Sequence, residues 1–146
     1  MHMIRTGKKP DIEKVKIFLT EAKISTEGVE SIINYFVLIE DIEGNLLATL
    51  GVEPAGKVGI LRSMVVKPVM KEEDLLIIFQ HVYKLAIAKN LSTLYLTTVN
   101  ETSIRLFHMM GFQKVERESL PKEFANSLYG KQLLTYEQAI YMEKVM

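Results

Sequence analysis

The chain has 146 residues, 48% apolar and 25% charged, a balance typical of one soluble globular domain with its own core. Its 18 basic and 18 acidic residues cancel, so charge gives no reason to expect nucleic acid or an anionic membrane as a partner. The absence of cysteine excludes disulfides, thiolate metal ligands and a cysteine nucleophile. We therefore expect a single domain over residues 1–146.

The sequence also bears on location and on metal binding. Residues 1–11 lack the apolar segment of a secretory signal, and no apolar run is long enough to span a bilayer. No histidine or carboxylate grouping has the spacing of metal ligands. We expect a cytoplasmic protein that binds no membrane and no metal.

The first third of the chain predicts a strand followed by two helices. The strand covers residues 1–5. The first helix opens at Pro10, where the missing amide of proline does no harm. Ser25 or Thr26 is placed to cap a second helix that reaches about Ile33.

A hairpin and a further strand are predicted next. Residues 35–40 and 46–53 are rich in strand-forming residues, and the turn signal around Gly44 joins them. A second turn at Gly56 leads into a strand over residues 58–67. Antiparallel neighbours are therefore expected in this part of the sheet.

The second half predicts helices that alternate with strands. The longest helix is expected over residues 71–89, which carry one apolar stripe, and a strand over 93–99 follows it. After a helix at about 101–110 come a strand over 112–117, a small helix within 120–130 and a last strand over 139–146. Hairpins first and a parallel crossover later indicate an α+β fold whose mixed α/β sheet has a parallel centre.

Residues 91–112, LSTLYLTTVNETSIRLFHMMGF, are the most informative segment. Asn100 ends the strand and suits an N-cap, and Gly111 suits the left-handed residue after a helix. Ile104, Phe107 and Met110 recur at helical spacing, so we expect them to face a core.

This segment resembles the acyl-CoA-facing unit of the GNAT N-acetyltransferase superfamily. In that family a strand ends in Asn, a helix with a small residue near its start follows, and the helix closes on Gly-Phe. The runs LRSMVVKP, residues 61–68, and AIYMEKVM, residues 139–146, are similar to two further strands of the family. The element order resembles the family as well, and the resemblance extends over essentially the whole chain.

The resemblance implies a GNAT-like acyl-CoA N-acyltransferase fold, with three layers and a central, partly parallel sheet that splays at a cofactor cleft. It implies acetyl-CoA as the co-substrate. Backbone groups of Met64, Val65 and Val66 would then bind the pantetheine arm. Asn100 and Ser103, at the positions of the family's strand end and helix start, are assigned to the cofactor site as well.

The sequence departs from the family pattern at the start of the long helix. Registered on residues 66–68, Lys71 holds the basic position, but Asp74 and Leu76 stand where two glycines would let backbone amides approach a pyrophosphate. Glu72 and Glu73 add negative charge that should repel the phosphates. We still assign Lys71, Glu72, Asp74 and Leu76 to the cofactor site.

No catalytic residue can be assigned from the sequence. Many family members carry a tyrosine that donates a proton to the leaving thiolate, where this chain has Phe107. The neighbouring His108 is expected at the surface, and Glu53 beside Pro54 fits a turn carboxylate better than a general base.

Three functions remain open on the sequence alone. The first is an acetyl-CoA-dependent N-acetyltransferase acting on a primary amine of a small molecule or peptide. The second is a non-catalytic GNAT-like domain that binds another small ligand or serves self-association, for instance as a homodimer. The third is an acyl-CoA-binding sensor without turnover.

Overall fold

The computed structural model describes residues 2–146, which contain seven strands and five helices. The strands are β1 (Met3–Thr6), β2 (Phe36–Glu40), β3 (Leu46–Ala55), β4 (Val58–Val66), β5 (Thr93–Thr98), β6 (Gln113–Val115) and β7 (Ile140–Val145). The helices are α1 (Ile12–Glu21), α2 (Glu72–Ala88), α3 (Ile104–Met109), α4 (Lys122–Asn126) and α5 (Leu128–Leu133).

The strands form one mixed sheet in the order β1-β2-β3-β4-β5-β7-β6. Ladders β1–β2, β2–β3, β5–β7 and β6–β7 are antiparallel, and β4 pairs with β5 in parallel. The predicted α+β class with a mixed sheet is confirmed. Within residues 2–146, no helix combines the length and apolarity that a bilayer crossing requires.

Most of the predicted elements lie within a few residues of the observed ones. The hairpin has Gly44 at φ +85° in its turn, and Gly56 at φ +60° forms the next turn. Both positions need the left-handed backbone that glycine adopts at little cost. The predicted first strand, residues 1–5, is observed as β1 over Met3–Thr6, and residue 1 lies outside the described residues.

The prediction of a second helix capped by Ser25 or Thr26 is wrong. Two 3₁₀ turns, Val29–Ser31 and Ile33–Tyr35, stand there instead, and the residue before the first is Gly28 at φ +78°. A left-handed glycine starts the segment with no side-chain cap, and short 3₁₀ turns suit such a connector.

Two compact units can be described separately. The first comprises Met1–Val52 and Arg62–Leu85. Its core combines apolar residues of α1, of the segment that contains the two 3₁₀ turns, of β2 and of the start of β3, namely Val15, Phe18, Leu19, Val29, Ile32, Ile33, Phe36, Leu38 and Leu46. The stripe of α2 contributes buried side chains at Ile78, Phe79 and Val82.

The second unit comprises Glu53–Leu61 and Ala86–Met146. Its core holds Ala55, Val58, Ile60, Tyr95, Phe124 and Tyr141. The Phe124 ring lies edge-on to both tyrosines, with centroids 5.9 Å from Tyr95 and 6.0 Å from Tyr141. Because β3, β4 and α2 contribute residues to both units, we keep a single domain as our proposal.

Candidate functional site

A serine with a left-handed backbone lies within β4, just before the predicted pantetheine-binding segment. Ser63 has φ +57°, a conformation that few residues other than glycine adopt. The hydroxyl of Thr49, which is fully buried, donates a hydrogen bond of 2.9 Å to the Ser63 carbonyl oxygen. This bond stabilises the unfavourable backbone conformation of Ser63. The conformation of Ser63 in turn determines the direction of the backbone at Met64, Val65 and Val66, which are half-buried.

The chain then leaves β4 through a short turn. The Lys67 amide donates to the Leu47 carbonyl oxygen at 2.9 Å, and the Met70 amide donates to the Lys67 carbonyl oxygen at 3.0 Å. The ammonium of Lys67 lies 5.9 Å from the centroid of the Phe18 ring, within the range of a cation–π contact. These contacts hold the segment between β4 and α2 against β3 and α1.

The start of α2 is capped by its own carboxylate. The Lys71 carbonyl oxygen accepts from the amides of Asp74 and Leu75 at 3.0 and 3.2 Å. In return, the Lys71 amide donates to Asp74 Oδ2 at 2.9 Å. An oxygen of Asp74 therefore occupies an amide at the helix start, where a bound phosphate oxygen would have to compete with it.

The other assigned residues of this segment face solvent. Glu72 is exposed, and the side chain of Leu76 is 44% exposed. Three carboxylates lie in the first turn, at Glu72, Glu73 and Asp74. They stabilise the helix by complementing its dipole, and they oppose an incoming anion. The structure thus brings Lys71 and Asp74 together, whereas Leu76 is turned outward.

Asn100 forms the predicted N-cap at the end of β5. Its Oδ1 accepts hydrogen bonds from the Thr102 amide at 3.0 Å and from Thr102 Oγ1 at 2.6 Å. The Asn100 amide donates to Thr98 Oγ1 at 3.1 Å. The half-buried Ser103 follows, and its amide donates to the Asn100 carbonyl oxygen at 3.1 Å. Both residues thus shape the strand-to-helix turn before α3.

The expectation that Ile104, Phe107 and Met110 face a core is only partly correct. Met110, the residue after α3, is buried, but Ile104 and Phe107 within α3 are half-buried. His108 is exposed, and its Nδ1 lies 3.0 Å from the Phe112 carbonyl oxygen. Gly111 has φ +99°, as the predicted helix stop requires.

The parallel ladder between β4 and β5 comprises three residue pairs. Val58, Gly59 and Ile60 pair with Thr93, Leu94 and Tyr95. These are the first three residues of each strand. The residues assigned to the cofactor from β4 and α2 lie in the first unit, and Asn100 and Ser103 lie in the second.

Sequence reasoning missed three residues of interest. Ser63 gives no signal, because serine is not a residue that predicts a positive φ. Thr97 and Tyr141 carry hydroxyl oxygens that are buried and have no hydrogen-bond partner within residues 2–146. Strand periodicity places residues on a face, but only the fold reveals what covers that face.

In the part of the chain that the structure describes, no three histidine, cysteine or carboxylate side chains are grouped as a metal site would need.

No family model matches the sequence. A relative in Bacillus subtilis strain 168, the uncharacterized protein YwlB, is 29% identical over 144 residues, which cover 98% of this chain and 97% of that protein.

Solved structures share the fold along nearly the entire chain. The N-acetylglutamate synthase of Neisseria gonorrhoeae, complexed with coenzyme A and N-acetylglutamate, is similar over 99% of this chain with a TM-score of 0.77 and 20% identity. A GNAT-family acetyltransferase of Staphylococcus aureus has a TM-score of 0.71 and 18% identity, with 99% of both chains covered. The chain has the GNAT fold.

The GNAT fold prediction is therefore confirmed. Rv2747 of Mycobacterium tuberculosis, crystallised with coenzyme A and a second ligand, is similar over 99% of both chains, with a TM-score of 0.77 and 17% identity. By contrast, this GNAT-fold chain spans only 35% of the length of the gonococcal synthase.

Proposed function

We propose that the protein is an acetyl-CoA-dependent N-acetyltransferase that acts on an amine. The observation that carries the proposal is the match over 99% of the chain to proteins crystallised with coenzyme A, one of them an N-acetylglutamate synthase. The left-handed Ser63 supports it, because this conformation within β4 would turn the backbone groups of Met64, Val65 and Val66 towards a ligand.

The proposed reaction is a direct transfer. The neutral amine nitrogen attacks the thioester carbonyl carbon and forms the carbon–nitrogen bond. The carbon–sulfur bond breaks with its electron pair on the thiolate, and the nitrogen loses one proton to solvent to give the neutral amide. Backbone amides near Met64 and Val66 would polarise the carbonyl oxygen. Phe107 has no proton to give, so the thiolate would leave unprotonated or take a proton from another group.

The residues assigned to the cofactor at the start of α2 fit a pyrophosphate less well than the two glycines of the family pattern would. The Asp74 carboxylate accepts a hydrogen bond from the Lys71 amide, so a phosphate oxygen would compete with it for that amide. The lysine side chains at positions 67 and 71 carry positive charge in the same segment and would favour phosphates. We propose that Lys71, Glu72, Asp74 and Leu76 contact the coenzyme, and that Asn100 and Ser103 are also cofactor-binding residues.

Two observations favour the alternative of a GNAT-like domain without turnover. The carboxylate cap at Asp74 competes with the anion, and Phe107 replaces the proton donor. Such a domain would bind another small ligand, or it would bind acyl-CoA as a sensor. A small-molecule or peptide amine as acceptor, a homodimer and a cytoplasmic location all stay predictions.

The first test is calorimetric titration of the purified protein with acetyl-CoA and, separately, with coenzyme A. Micromolar affinity would support the transferase and justify an acceptor screen that detects the released thiol. Binding without release of thiol for any amine would favour the sensor. No heat of binding at millimolar ligand would overturn both coenzyme-dependent functions.

A further inference from the structure

The strands β5 and β7 place two hydroxyl-bearing residues directly opposite each other. In their antiparallel ladder Thr97 pairs with Tyr141, and Tyr95 pairs with Glu143. Residues two apart on a strand point to the same face, so all four side chains share one side of this ladder.

Residues 116–138 cover this face of the ladder. Phe124 of α4 lies between the rings of Tyr95 and Tyr141. Partly buried side chains of the same stretch pack against the cluster, namely Leu120, Tyr129, Leu133 and Leu134. Tyr141 is consequently only 5% exposed.

The two tyrosines of this cluster differ in how their hydroxyls are satisfied. Tyr95 is hydrogen-bonded to the Glu143 carboxylate, and burial together with that carboxylate raises the pKa of the Tyr95 phenol. Neither Tyr141 Oη nor Thr97 Oγ1 has a hydrogen-bond partner among residues 2–146, although both atoms are buried. Phenylalanine and valine would fill the same space, and neither would bury a hydroxyl that has no hydrogen-bond partner.

We propose that Tyr141 and Thr97 form a buried polar subsite that binds an uncharged hydrogen-bonding group, a hydroxyl or a carboxamide, of the amine acceptor. This inference rests on the proposed acetyl transfer for its substrate. Each hydroxyl can both donate and accept, so together they match a group that does the same. Glu143 and Glu123 are the charged groups that act on the neighbouring Tyr95, so a carboxylate is disfavoured at this position.

A ligand reaches the subsite when the cover shifts. The cover contains α4 and α5, with five and six residues, and helices this short have little stability of their own. Segments of this kind open at a lower free energy than a central strand does. The side chain of Leu128, at the start of α5, is already 68% exposed.

The test measures amine binding by calorimetry, with and without coenzyme A. The probes are two matched pairs, 4-amino-1-butanol against butylamine and 4-aminobutanamide against 4-aminobutanoate. Wild type should bind the first member of each pair about tenfold more tightly. This ratio of dissociation constants corresponds to about 1.4 kcal/mol, which one additional hydrogen bond provides. The variants Tyr141→Phe and Thr97→Val should remove the preference, whereas Tyr136→Phe, at a tyrosine 55% exposed, should keep it.

Thermal unfolding supplies a readout that does not depend on any ligand. Both variants should match or exceed the wild-type Tm, because they remove a hydroxyl that has no partner. A Tm lowered by several degrees would show that an internal water or another group satisfies these hydroxyls, and would overturn the subsite. Equal affinities within both pairs, or no amine binding, would overturn it as well. Failure of the coenzyme titration alone would instead overturn the proposed function.

Discussion

Arg5 organises a small network of ion pairs in the first unit. Its guanidinium donates to both carboxylate oxygens of Asp11 at 2.7 Å and, through Nε, to Glu40 Oε1 at 2.7 Å. The Lys8 amide also donates to Asp11 Oδ2. The hydrogen bond from Arg5 is the main cause that lowers the pKa of Asp11 to about 2, from an ordinary 3.8. The pKa of Glu40 is lowered in the same direction by Arg5.

We predict that this network stabilises the protein above about pH 4 and that the stabilisation is lost on acidification. A carboxyl whose pKa is lower in the folded state is protonated first in the unfolded state, so stability falls as pH drops from about 4 to 2. Asp11→Asn should make this fall smaller by roughly 1–2 kcal/mol, after allowance for the partly exposed Arg5. The measurement is the free energy of unfolding in urea at pH 6 and at pH 2.5.

The matched control for this prediction is Glu21→Gln at the exposed end of α1. It should leave the pH dependence of the unfolding free energy unchanged. An Asp11→Asn protein that loses as much stability on acidification as wild type would show that the pair with Arg5 is not maintained in solution.

The conformations of some single residues could be predicted from the sequence, and those of others could not. Asn100 and Gly111 were predictable because a cap and a left-handed stop have characteristic residue types. Ser63 was not, since its left-handed conformation is held by a hydrogen bond from Thr49, 14 positions earlier in the chain. The unbonded hydroxyls of Thr97 and Tyr141 likewise depend on a ladder register and a cover that no local pattern specifies.

At the scale of elements, the start of α2 is where we propose that the phosphates of a coenzyme bind. We predict that the double variant Asp74→Gly, Leu76→Gly binds coenzyme A about fivefold or more tightly than wild type. The change removes a carboxylate that competes for the Lys71 amide, and one unit charge at close range in water corresponds to about 1 kcal/mol. Calorimetric titration of both proteins measures the ratio of dissociation constants.

Glycines also destabilise a helix, by about 1 kcal/mol each, so this comparison needs a matched control. Ile77→Gly with Gln80→Gly places two glycines at exposed positions of α2 and keeps the Asp74 cap and all three first-turn carboxylates. The control should not bind coenzyme A more tightly than wild type. Unchanged or weaker affinity in the Asp74 and Leu76 variant would refute the assignment of these residues to the phosphates.

Elements were predictable where one strong local signal stood at each boundary. The hairpin has a glycine turn between two apolar runs, and α2 has a long apolar stripe with acidic residues at its start. The segment after α1 has neither, and there the predicted helix was replaced by two 3₁₀ turns. Its Val29, Ile32 and Ile33 are buried, so packing rather than capping determined the conformation.

At the scale of the whole molecule, we predict one cooperative unfolding transition. Strands β3 and β4 and helix α2 each contribute residues to both compact units, so neither unit is a continuous segment that could separate at a linker. Amide hydrogen exchange along a denaturant series measures the transition segment by segment. Slowly exchanging amides of β2 and of β7 should share one midpoint, and two separate midpoints would contradict a single domain.

The order of strands in the sheet has a consequence for self-association. Its two edges are β1 and β6, with four and three residues, and Gln113 and Lys114 are exposed on β6. Short edge strands with charged side chains offer few free backbone groups to a neighbouring chain, which protects a protein from ribbon-like aggregation. A second copy that extended the sheet would gain only a handful of backbone hydrogen bonds. A homodimer of this protein is therefore better sought through contacts between side-chain surfaces than through strands that continue from one copy into the next.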